Sequence, residues 1–166
     1  MRFLENIDTD GSFKAVGGEF PCTTKKAVTF IGATADGWGN DGGALDGGAL
    51  FTVTGAVKVQ VYGVVNTSLA GGATIEVGIA GATAIFMPQE TDTNLDAGMV
   101  WLNEGTPAAY YIIGEEQAAI DNLPTYLLNG QDIILTVSGG QNVTSGQVDF
   151  YARWRPLSDD AKIVAG

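Results

Sequence analysis

Apolar and polar residues alternate with a period of two along much of the chain, the spacing of strands that bury one face. The clearest stretch runs from Asn129 to Pro156. In its second half Val148, Phe150, Ala152 and Trp154 fall on one side, and Asp149, Tyr151, Arg153 and Arg155 on the other. In its first half Ile133, Leu135 and Val137 alternate with Ile134 and Thr136, so both faces are apolar or β-branched and cover on two sides is predicted. Gly139-Gly140-Gln141-Asn142 between them supplies turn chemistry. The pattern predicts two strands joined by a turn at the centre of a sheet.

Further strands are predicted at 27–31, 50–65, 73–80, 82–87, 97–102 and 109–113, and at 126–128 ahead of the Asn129-Gly130 turn. Gly55 marks either a tight turn or a bulge in one long strand. Pro88 closes the strand before it, and the polar run 89–96 reads as a loop or an edge. Residues 115–123, between Gly114 and Pro124, have the composition of one or two helical turns. About eight or nine short strands, with turns every ten residues or so, predict an all-β fold: an antiparallel β-sandwich or a jelly-roll-like barrel over 27–157. No segment offers a helix long enough for parallel crossovers. Residues 1–26 read as an N-terminal extended arm, with Phe3, Phe13 and Phe20 spaced as anchors on its own domain or on a neighbour. Residues 158–166 form a patternless C-terminal tail.

The composition fits one folded domain: 166 residues, 45% apolar, with 24 glycines to shape turns and only 16% charged residues. The net charge of −11 repels phosphate and argues against nucleic acid as a partner. No run is long enough for a transmembrane helix, and the first residues lack the apolar core of a secretion signal, so membrane is not an expected partner and synthesis in the cytoplasm is expected.

Candidate chemistry is sparse. One cysteine, Cys22, permits no disulfide within the chain, and the absence of histidine removes Cys/His zinc sites and Ser-His or Cys-His nucleophiles. The glycine-rich loop 32–48 carries Asp36, Asp41 and Asp46 around Trp38. It resembles a single imperfect copy of a calcium-binding repeat that needs tandem copies, so it reads chiefly as a flexible surface loop without metal. Glu76 and Glu90 are carboxylates with no distinguishing context, and no phosphate-binding loop is present. The expectation is a protein that is not an enzyme and takes no cofactor. Arg153 and Arg155, on the outward side of the last strand, read either as partners of a neighbouring subunit's carboxylates or as a local pair to Asp149 or Asp159.

Several segments carry a resemblance: 10–13 (DGSF), 50–55 (LFTVTG), 75–81 (IEVGIAG), 129–134 (NGQDII) and 151–158 (YARWRPLS). Together they resemble small all-β virion structural proteins of tailed bacteriophages, over most of the chain. The resemblance implies a capsid decoration protein, acidic, located in the virion after synthesis in the host cytoplasm. It implies the major capsid protein and further copies of the chain, as a homotrimer, for partners. It carries over no catalytic, cofactor or metal residues. The alternative is a tail or fibre component binding host-surface glycan, with Trp38 and Trp101 as an exposed aromatic platform.

Overall fold

A computed structural model describes residues 20–103, 111–112 and 123–166. Among them are eleven strands and one 3₁₀ turn (Asp92–Asn94), in two antiparallel sheets packed as a sandwich. The strands are β1 (Cys22–Thr29), β2 (Gly48–Thr54), β3 (Ala56–Ala70), β4 (Thr74–Ile79), β5 (Ala82–Thr91), β6 (Val100–Trp101), β7 (Tyr111–Ile112), β8 (Tyr126–Asn129), β9 (Ile133–Ser138), β10 (Ser145–Pro156) and β11 (Lys162–Ala165). The first sheet has the order β1-β10-β3-β6-β7, with β8 also paired to β3; the second has the order β11-β2-β9-β4-β5.

The pairing is nested. β4 pairs with β5, β3 with β8, β2 with β9 and β1 with β10. The chain is one long hairpin rolled up, with successive nested pairs passing from sheet to sheet. That is jelly-roll topology.

Nesting corrects the reading of the stretch 129–156. β9 and β10 are not a hairpin. Each is an inner strand of a different sheet, and the turn between them crosses from one layer to the other. Ile133, Leu135 and Val137 are buried from one side of the core and Val148, Phe150 and Ala152 from the other. Two consecutive apolar strands satisfy each other by facing across a sandwich as well as by lying side by side. The same holds at Gly55. Its positive φ of 64° is the left-handed conformation glycine adopts without strain, and it turns the chain from β2 into β3, which lie in opposite sheets.

The core is aliphatic with aromatic bridges. Phe86 of the second sheet meets Tyr126 of the first edge-on at 5.1 Å, and Trp101 meets Phe150 at 6.1 Å. A register shift between Ala49 and Phe51 lets the consecutive Leu50 and Phe51 both point inward, fully buried.

Other boundaries move for physical reasons. β1 begins at Cys22, so residues 22–26, read as arm, are strand; hydrogen bonding to β10 holds what local propensity did not mark. β3 continues to Ala70, beyond the predicted strand end at 65. β5 runs through Pro88 because it is a sheet edge, where a missing N–H costs nothing in the ladder. The tail read as patternless contains β11, which pairs with β2 and buries Ile163. Between 97 and 102, only Val100–Trp101 is strand. The helix expected at 115–123 and the anchors Phe3 and Phe13 lie outside the described residues, save Leu123, which sits in a bend.

Candidate interaction face

The outer face of the first sheet gathers side chains from five strands, β1, β10, β3, β8 and β6. Register fixes its rows, because directly paired residues point to the same side. Arg155 lies opposite Lys58, and Lys58 opposite Leu127. The next row is Thr23, Arg153 and Gln60; the next, Lys25, Tyr151 and Tyr62; the next, Ala27, Asp149, Val64 and Val100.

Contacts knit these rows. The rings of Tyr62 and Tyr151 stack at 5.1 Å with an angle of 12° between planes. The Lys25 ammonium sits 5.6 Å from the Tyr151 ring centre and 2.6 Å from Asp149 Oδ2. Phe20 lies with both the Arg153 guanidinium and the Lys58 ammonium 5.5 Å from its ring centre. These cation–aromatic contacts hold long, mobile cations in place.

The electrostatics follow. Burial opposes the charge on Asp149, but hydrogen bonds from Lys25 and Asn66 and the Lys25 charge outweigh it and hold the carboxyl below its ordinary range. The hydrogen bond to Asp149 pushes Lys25 up, against a smaller desolvation. Burial pushes the Tyr62 hydroxyl up; the Tyr151 beside it adds to this and Arg153 opposes it.

Of the residues predicted to form an interface, Phe20 and Arg153 touch and Arg155 shares their face. Asp149 is engaged with Lys25, so the local Arg–Asp149 pair is not what the described geometry gives. Sequence reasoning missed Lys25, Lys58, Tyr62 and Leu127. The alternation of Lys58 and Tyr62 with Val57, Val59 and Val61 put them on one side of β3, but nothing local says that β3 lies beside β10. Lys25 was hidden by its assignment to the arm.

The other candidates are dispersed. Trp101 is fully buried and cannot form an exposed platform. Trp38 is half-buried against the core, with the Lys26 ammonium 5.9 Å from its ring centre. Glu90 pairs with Ile75 and shares its inward side, so Glu76, one residue on, points to the opposite face. Glu90 Oε1 accepts from Thr91 N–H and Asn94 Nδ2.

The loop 32–48, read as flexible, is pinned by its own polar groups. Asp46 accepts from the N–H groups of Gly42 and Val137, Asp41 accepts from Gly140 N–H, and both Asn40 and Asn142 donate to Gly32 O. Those carboxylates satisfy backbone donors, and the described residues contain no group of three His, Cys, Asp or Glu placed to hold a metal ion. Cys22 is half-buried and burial pushes its thiol up, away from the reactive thiolate. Among the described residues no helix is long and apolar enough to cross a membrane.

Compared with protein-family models, curated proteins and solved structures, the chain matches none.

Proposed function

We propose that this protein is a structural component of a tailed-phage virion that decorates or cements the outer surface of the head. Its partners are the major capsid protein and further copies of itself, and it acts by contact rather than by chemistry. The observation that carries the reading is the outer face of the first sheet. Phe20, Arg153 and Arg155 share a broad pleated surface with two stacked tyrosines and an exposed leucine. Arginine and aromatic anchors of this kind dominate the energetics of protein contacts. A jelly roll supports it by analogy, since shells of viruses use that body repeatedly, though other functions use it too.

Electron microscopy of purified virions, with the protein located by an antibody or by difference density, tests the proposal. A symmetric array of many copies on the head is the expected result. A few copies at the tail would assign it there instead, and its absence from mature particles would end the reading.

A further inference from the structure

We propose that residues 1–19 strap across the outer face of this chain's own first sheet, along the row Arg155–Lys58–Leu127, with Phe13 packed on Leu127. A partner that takes this face meets the strap first, a consequence that rests on the reading of the face as an interface.

The path begins at Pro21. Proline has no N–H to give a ladder and favours extended backbone in the residue before it, so pairing with β10 stops at Cys22. Phe20 does not carry the chain off the sheet edge. Its ring centre lies 5.5 Å from both the Arg153 guanidinium of β10 and the Lys58 ammonium of β3. β10 is an inner strand, with β1 on one side and β3 on the other. The segment before Pro21 therefore steps onto the face of the sheet and not onto the open edges at β7, β8 and β11. Those edges are also poor templates, with two residues of strand at β7 and four each at β8 and β11. Ile163 O of β11 already accepts from Thr24 Oγ1, and Asn129 N–H of β8 donates to Gln131 Oε1.

The face ahead of Phe20 offers one lane. On one side Gln60 is buried, its amide nitrogen donating to Leu123 O and Thr125 Oγ1, and those residues wall the lane. On the other side Leu157 follows β10, two residues past Arg155, with its N–H bonded to Ala56 O. Between them Lys58 stands opposite Arg155 and opposite Leu127, so the three form one row from β10 through β3 to β8.

What the lane lacks is apolar cover, not counter-charge. Lys58 and Arg153 both have partners within the chain, and Lys25 is paired with Asp149. Leu127 is 72% exposed and Leu157 52%, the two most exposed large apolar side chains among the described residues, and both border the lane. Gln60 Oε1, beside it, is buried and accepts no hydrogen bond among the described residues. A backbone N–H running along the lane supplies that donor.

Residues 1–19 supply the cover. Phe13, Ala15 and Val16 precede Phe20, and Gly17-Gly18 permits a close backbone approach. The seven residues from Phe20 back to Phe13 reach about 23 Å when extended, whereas β8 lies two strands from β10, about 10 Å away. Tethering decides the occupant. A segment joined to the lane by so few residues has an effective concentration of about millimolar there, against which the same segment of a second copy must compete.

Paramagnetic relaxation in the full chain tests the proposal. A nitroxide is attached at position 12 through Ser12→Cys in a Cys22→Ala background, and the dispersed amide spectrum verifies the fold. The expected result is severalfold broadening at Lys58, Leu127 and Leu157, with Gln89 and Val164 of the second sheet unchanged. Nitroxide-bearing chains mixed with isotope-enriched chains that carry no nitroxide are expected to broaden nothing. Adding Phe13→Ser is expected to reduce the broadening severalfold. Four outcomes would overturn the proposal: no broadening, broadening centred on β5 or β11, broadening in the mixed sample, or broadening indifferent to Phe13→Ser. Mature virions that lack the protein would end the assembly reading and leave this result in place. An unstrapped protein found arrayed on phage heads would defeat the strap and leave the virion reading in place.

Discussion

At the scale of single residues, the Lys25–Asp149 pair ties stability to pH with a definite sign. Asp149 is nearly buried and its carboxyl is held below the usual range, so its contribution is full above the ordinary carboxylate value of about 4 and is lost as pH falls through the lowered value. Lys25 is shifted the other way, so its contribution is present below its ordinary value of about 10.4 and is lost only as pH rises through the raised one. Replacing Asp149 with Asn therefore destabilises the protein at neutral pH, and the gap to wild type narrows in acid. Urea unfolding of both proteins at pH 7 and at about pH 2 measures this, and a gap of equal size at both would refute it. Salt weakens the effect, because the Lys25 ammonium is half-exposed. The buried Asp92 is a different case: its carboxylate caps Gly72 N–H and its backbone closes the 3₁₀ turn, a structural use of charge with no cation in the described contacts.

At the scale of elements, β11 shows how a strand of four residues can matter. Ile163 is 4% exposed under the sandwich rim, while Val164 points out at 37%. β11 and the residue after it also fasten the two sheets: Thr24 Oγ1 donates to Ile163 O and the Lys26 ammonium donates to Gly166 O, while Trp154 Nε1, within the first sheet, donates to Thr24 Oγ1. Ile163→Ala is expected to cost about 2–4 kcal/mol, and Val164→Ala no more than about 0.5 kcal/mol. Denaturant midpoints decide it, and equal effects would mean the alternation is not what holds β11. This strand was illegible in the sequence because one buried residue makes no period. Where alternation was long, as from Val148 to Trp154, both the strand and its buried face were readable. Pro88 misled for a related reason: its missing N–H ends a central strand but not an edge one, and edge status is a property of the whole sheet. The interaction face was half legible. Arg153 and Arg155 follow from alternation within β10, whereas Lys25, Lys58 and Leu127 join them only through pairing between distant segments.

At the scale of the molecule, nested pairing sets an order of assembly. β4 and β5 are joined by a tight turn, while Thr24 on β1 and its contact Trp154 on β10 are 130 residues apart in sequence. Closing a loop that long, rather than one of about five residues, costs about 3 kcal/mol more in chain entropy. Once the inner pairs have formed, each outer pair closes a shorter effective loop, so the roll tightens from β4–β5 outward and β1 docks last. A fold dominated by such distant pairs is expected to form in about milliseconds to seconds. Val77 on β4 and Val28 on β1 are both fully buried, so Val→Ala at either site costs well above the ~0.6 kcal/mol needed for a usable ratio. Chevron analysis should show Val77→Ala slowing refolding, with a φ-value of about 0.5 or more. Val28→Ala should mainly speed unfolding, with a φ-value of about 0–0.3. The reverse ranking would mean that the sandwich nucleates at its outer strands, and that its rolled topology records where the chain ends up but not the path by which it gets there.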